Sequence, residues 1–250
     1  MSTRTVFRFT APSRALILAL LLSAAPASAQ AVGGNASSLS SSIFKLMNQV
    51  GPAPTTPTKG QTPAPVTQTP APVIKPAALN FKVSPAVRKK VIDNFVATIT
   101  EGSPESGAEW NKLFKSSDVF AEIDKQVKTM FGLGTTNLAD TWAVYWSYAW
   151  LMTRSRTDDP TRAQISGLRN QFQPLLLAIP SVAALNDAQK QEMSDTLLLQ
   201  VALYGVLAEA WKNDQASRDD FGSGLVSGTK QMGLDLSLVT LTDKGFTVNK

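Results

Sequence analysis

Residues 138–152, LADTWAVYWSYAWLM, constrain the fold more than any other part of the chain. On a helical wheel, Tyr145, Ala149, Trp142, Trp146 and Trp150 cover one broad face, and Val144, Tyr148, Leu151 and Met152 fill much of the remainder. A helix apolar nearly all round cannot lie on a surface and has to be enclosed by other elements. The sequence therefore predicts a central helix, opened by Asn137 as N-cap, with amphipathic helices around it.

The surrounding patterns supply them. Ser84-Pro85 is an N-cap followed by proline at the first helical position, and Val87, Val91, Phe95 and Ile99 repeat behind it at helical spacing. After a turn at Gly102-Ser103-Pro104, a short helix is predicted around 108–114. Ser117 is read as the cap of the next, whose stripe is Val119, Phe120, Ile123, Val127 and Met130, with Gly132 and Gly134 closing it. Asp159-Pro160 is read as the start of another, carrying Ile165, Leu168, Phe172, Leu175, Leu176 and Ile179, with a kink expected at Pro174. Asn186 caps the longest, to about 212, with Met193, Leu197, Val201, Tyr204, Leu207 and Trp211 in line. A last helix is expected over about 216–232, and a turn at Asp243-Lys244-Gly245 suits a small terminal strand pair. The expected fold is all-α, about six to seven helices in one domain over 80–250.

The N-terminal third has a different chemistry. Arg4, Arg8 and Arg14 precede an apolar run at 15–24, Pro26 ends it, and Ala27-Ser28-Ala29 provides small residues for cleavage before Gln30. This is the order of a secretory signal peptide over 1–29. The run is about half the ~20 residues a spanning helix needs, so no stable membrane insertion is expected after cleavage. Eight of the fifteen prolines fall between Pro52 and Pro76, which makes 30–79 an extended Pro/Thr-rich tether. Inside it, residues 40–50 carry Ile43, Phe44, Leu46, Met47 and Val50 at i, i+3, i+4 and i+7 spacing, a short apolar stripe that is marginal as a helix unless docked. Its own domain is the first expected dock and a partner the second, with a disordered segment as the third reading.

The chain has no histidine and no cysteine. Ser-His and Cys-His nucleophilic sites and metal sites built on imidazole or thiolate are thereby excluded. No catalytic, cofactor-binding or metal-binding residue is assigned, and no cofactor is expected. Six of the 24 Lys and Arg residues precede residue 80, whereas all 19 acidic residues follow it, so the domain is close to neutral. That balance argues against nucleic-acid binding, which draws on clustered positive charge.

Three strings, LADTWAVYWSYAW, KQEMSDTLLLQVAL and GLDLSLVTLTDKGF, together resemble an uncharacterised bacterial family of exported proteins, a domain of unknown function, over most of 84–246. The resemblance implies an exported helical domain and carries no activity or catalytic residue.

Candidate ligand-binding residues are Asp140, Tyr145 and Tyr148. The aromatic helix either packs as core or lines a glycan or peptide groove, with Tyr148 the most accessible ring by its wheel position. Asp140 is either a dipole-favoured residue of the first turn or a carboxylate at the mouth of that groove. A carboxylate-based hydrolase of envelope polymer would need two acidic side chains; Glu105, Glu109, Asp118, Asp140 and Glu192 are the candidates, and their spacing singles out no pair. Arg169 and Gln200, polar within apolar stretches, are expected to bridge helices internally. Arg154, Arg156, Asp158 and Asp159 read as a charged solvated loop. The preferred reading is an exported, periplasmic or secreted, non-catalytic module binding a protein or glycan partner of the cell envelope. An apolar-ligand carrier is the third.

Overall fold

The computed structural model describes residues 76–231 and 234–249, so the leader, most of the tether and the stripe at 40–50 lie outside the described residues. Eight α-helices are present among them: α1 (Pro85–Gly102), α2 (Pro104–Ser116), α3 (Val119–Phe131), α4 (Leu138–Met152), α5 (Arg162–Ala178), α6 (Pro180–Ala183), α7 (Asp187–Ala210) and α8 (Gln215–Gln231). The strands β1 (Val239–Thr242) and β2 (Gly245–Val248) form an antiparallel pair, with Leu241 opposite Phe246. Two 3₁₀ turns, Pro76–Leu79 and Leu236–Leu238, precede α1 and β1. The fold is all-α with a small terminal strand pair; the helix beyond the expected number is α6, a single turn after Pro180.

Most helix starts follow from side chains that accept the orphan amides of a first turn; at α1 the expected cap, Ser84, stands at the N-cap position without a side-chain bond, and Pro85 opens the helix. Asn137 accepts from Ala139 and Asp140, and Thr161-Gln164 and Asn186-Gln189 form reciprocal capping boxes on α5 and α7. Three boundaries differ from expectation. The α2 helix begins at Pro104, four residues early, because Ser103 caps it. Asp118 rather than Ser117 caps α3, a carboxylate being the stronger acceptor for the Ala121 amide. The α5 helix starts after Thr161 rather than at Pro160. It runs on past Pro174, whose ring and the residue four before it, Asn170, are both exposed, so water can serve the carbonyl that proline leaves unbonded. Gly132, at φ 72°, ends α3 in the left-handed conformation.

The α4 helix is enclosed as its composition demands: every residue but Trp142 is buried, and it packs on α7, α5 and α8. It runs antiparallel to α5, since Trp142 meets Phe172 while Tyr148 meets Asp159 just before the start of α5. Edge-to-face contacts tie Phe95 to Trp110 in one lobe of the core and Tyr204 to Phe221 in another. The strand pair lies on α5, where Gly167 is so close to the turn that an added Cβ would sit 2.4 Å from the Gly245 nitrogen. Leu175, placed in the α5 stripe by spacing, is instead 54 % exposed, while Phe172 and Leu176 are buried, so the covered face of α5 runs through those two and leaves Leu175 on the other side.

Candidate functional site

The residues singled out along α4 are brought into the core. Tyr145 is 0 % exposed and stacks near Tyr204 and Trp146, with ring centroids 6.1 and 5.1 Å away. Burial pushes its phenol up to about 12. Tyr148, expected to be the accessible ring, is only 6 % exposed. The helix axis turns it against Phe131, and its hydroxyl donates to Asp159 Oδ1 at 2.8 Å. Burial first, and then the charge of Asp159, hold that phenol well above its ordinary value. Asp140 is 8 % exposed: its Oδ1 accepts from Arg169 Nε at 2.9 Å and its Oδ2 from the Gly134 amide at 3.4 Å. The carboxylate thereby staples α5 and the preceding loop to α4.

Arg169 thus bridges helices as expected, and Gln200 does not: it is 1 % exposed, with neither amide atom hydrogen-bonded among the described residues. The loop after α4 is more structured than a solvated charge run. Arg154 Nη2 donates to the carbonyls of Leu236 and Val239 at 3.0 and 3.3 Å, its guanidinium lies over the Trp150 ring, and Ser155 adopts φ 53°.

An open cleft lies elsewhere, where α1 passes the α2–α3 corner. Its volume is about 450 Å³, within the range of small-molecule sites. Ile92, Phe114, Val119 and Phe120 provide its apolar wall, and Arg88, Lys115, Ser116, Ser117 and Asp118 its polar one. The local sequence explains this layout. Helix α2 ends at Ser116 and α3 begins at Val119, so two hydroxyls and a cap occupy the sharp corner between them. The Ser116 and Ser117 hydroxyls both donate to the Leu113 carbonyl, at 3.1 and 3.0 Å, which leaves their oxygens able to accept.

Arg88 links this cleft to the interior. Its guanidinium lies 4.3 Å from the Phe120 ring centroid, while Nε and Nη2 reach the buried Asp195 carboxylate at 3.4 and 3.5 Å. Burial raises the Asp195 carboxyl above its usual range, opposed by Gln191, which donates to it at 3.0 Å, and by Arg88. Lys115 is exposed and makes no ion pair among the described residues.

Of the five carboxylates weighed for hydrolysis, only Asp118 lines the cleft, and its Oδ1 is engaged by the Ala121 amide at 3.0 Å. Glu192 pairs with Lys90 at 2.9 Å. Glu105 and Glu109, which spacing had not paired, stand one turn apart on α2. Burial first, then the charge of Glu105, raises the Glu109 carboxyl, and Lys112 opposes them. None of Asp140, Tyr145 and Tyr148 borders the cleft. Sequence reading missed Arg88 and Lys115 as a pair, since they stand on different helices; the one local signal was the polar Ser116-Ser117-Asp118 junction between two apolar stripes. Among the described residues, no helix is long and apolar enough to cross a membrane.

The chain belongs to a family of unknown function, DUF6683, which matches it over residues 10–249. The match therefore extends N-terminally beyond the three strings and takes in the tether. Neither a curated protein nor a solved structure matches the chain.

Proposed function

We propose that this member of a family of unknown function is an exported, non-catalytic binding module that engages a protein or glycan partner of the cell envelope or secreted milieu. The cleft between α1 and the α2–α3 corner carries the proposal: it offers the exposed cation of Lys115, the edge of an Arg88 paired with Asp195, two hydroxyl acceptors and an aromatic wall, and its one carboxylate caps α3 through Oδ1. Such a lining recognises polar groups on an apolar body without supplying a paired acid and base. Export rests on the order of cationic, apolar and small residues across positions 1–29.

Both parts are testable. Envelope oligosaccharides and extracellular proteins, presented to the immobilised full chain, are expected to bind at least about tenfold more weakly to Lys115→Glu and Ile92→Asp, a loss of about 1.4 kcal/mol. Binding that both substitutions leave unchanged removes the cleft from the reading. Amino-terminal sequencing of chain recovered outside the cytoplasm is expected to begin at Gln30; an intact Met1 start there counts against cleavage.

A further inference from the structure

Given the binding role proposed above, on which this step rests, the lining of the cleft also selects the class of ligand. Its polar groups are of two kinds. Lys115 is exposed and makes no ion pair or side-chain hydrogen bond among the described residues. Arg88 turns Nε and Nη2 to Asp195, and its Nη1 has no partner among them. Beside these cations stand acceptors on three consecutive residues, Ser116, Ser117 and Asp118. The two hydroxyls donate their protons to the Leu113 carbonyl, at 3.1 and 3.0 Å, and Asp118 commits only Oδ1, to the Ala121 amide. Each of the three therefore keeps a lone pair for an incoming donor.

A bare anion suits this lining poorly. It would meet the cations, but it brings no donor for the acceptors, and the Asp118 carboxylate repels it. The complement is a molecule that carries a carboxylate and several donors on an apolar body. Spacing decides which donors these are. Both serine oxygens are held to one carbonyl oxygen, within 3.1 Å of it, so the two acceptors are crowded together. The amides along one edge of an extended peptide recur every second residue, about 6.6–6.8 Å apart, a wider step than this corner offers. Hydroxyls on neighbouring carbons of a sugar ring are adjacent by their bonding and match it. The C–H face of such a ring suits the partly buried Phe114 and Ile92, and a cleft of about 450 Å³ takes a short oligosaccharide.

We infer that the cleft binds an acidic oligosaccharide, a sugar chain bearing uronate carboxylates, with Lys115 pairing with a carboxylate and Ser116, Ser117 and Asp118 accepting from ring hydroxyls. Arg88 contributes its free Nη1 at the rim while its pairing with Asp195 fixes its position. The two kinds of polar group then divide the work. Hydroxyl acceptors recognise any sugar of suitable shape, and the cation sets the preference for an acidic one. Because Lys115 stands in water, that preference is screened by salt whereas hydroxyl recognition is not.

The test titrates the full chain calorimetrically with the trisaccharides of galacturonate and of mannuronate, with their carboxyl-reduced counterparts, and with triglutamate. At low salt at least one acidic trisaccharide is expected to bind about tenfold more tightly than its reduced form, the effect of one charge-assisted hydrogen bond. Lys115→Gln is expected to abolish that preference and Lys115→Arg to keep it. Ser116→Ala with Ser117→Ala is expected to weaken acidic and reduced sugars alike, about threefold or more. None of these side chains is buried, so helical circular dichroism should be retained in every variant. Equal binding of acidic and reduced sugars overturns the inference and leaves the cleft a glycan site. A preference that survives Lys115→Gln also overturns it. Triglutamate bound as tightly as the acidic sugars overturns it in favour of a protein partner. Binding of none of these probes overturns it as well, and the Ile92→Asp comparison then decides separately whether the cleft binds at all.

Discussion

Asp195 shows how a single buried carboxylate reports on its surroundings. Its carboxyl titrates above the ordinary 3.8 because burial outweighs the help of Gln191 and Arg88. A raised folded value means that the native state holds the proton more tightly than the unfolded chain does. The contribution to stability is then fully present below 3.8 and lost as pH rises through the folded value. Asp195→Asn, which keeps the shape and removes the charge, is expected to compare better with the parent at neutral pH than at pH 3, and paired denaturant titrations would show it. A difference independent of pH would mean that Arg88 compensates the charge in full. Asp140 and Arg169 make the complementary case, a charge-assisted bond at 2.9 Å with the carboxylate side chain 11 % exposed. Removing either partner is expected to cost about 1–3 kcal/mol, and a double-mutant cycle should return a coupling of at least about 0.5 kcal/mol.

At the scale of elements, the terminal strand pair is held by side chains rather than by a larger sheet. The Gln171 amide serves both the nitrogen and the carbonyl of Phe246, at 2.9 and 3.1 Å. Trp150 Nε1 donates to Val239 at 2.9 Å, and Arg154 adds its bonds to Leu236 and Val239. A two-stranded hairpin is marginal by itself, so these anchors decide whether it persists. Arg154→Ala is expected to speed amide exchange across 239–248 and leave α7 protected; unchanged exchange would show that Trp150 and Gln171 suffice. Gly167→Ala drives a methyl into the backbone of the turn, and the expected loss is about 1–3 kcal/mol or more, measured by chemical denaturation. Helices, by contrast, were legible before any coordinates, because the apolar stripes of α1, α3 and α7 and the caps Asn137 and Asn186 are local signals. The α2 start was misjudged for a local reason too, since Ser103 precedes Pro104 in a stretch whose glycine reads as a break.

For the whole molecule, the core can be read through its phenols. The three tyrosines of the chain, Tyr145, Tyr148 and Tyr204, are all buried, and burial is the first cause of the upward shift in each. Their neutral forms stabilise the fold fully below the ordinary value of 10, and that contribution is lost as pH climbs through the folded values, about 12 for Tyr145. Phenolate absorbance is therefore expected to stay flat through pH 10 and to rise together with the loss of helical signal. A tyrosine that ionises near 10 while the helix content is intact would contradict the sealed core. The sealed core also explains why the aromatic helix is not an open surface of the described residues, and why the proposed binding is placed at the cleft by Arg88 and Lys115 instead.

What the amino-acid order determined by itself is the helical class, most helix positions, and the enclosure of α4, because periodicity and capping act within a few residues along the chain. It also excluded histidine and cysteine chemistry outright. Only the tertiary structure decided which side of each helix is covered. Tyr148 was turned inward by Phe131 and Asp159, and Leu175 was left outside because the covered face of α5 runs through Phe172 and Leu176. Arg88 and Lys115 became one cleft only when α1 crossed the α2–α3 corner. Such outcomes depend on contacts between residues far apart in the chain, and a helical wheel, which knows only its own helix, contains no information about them.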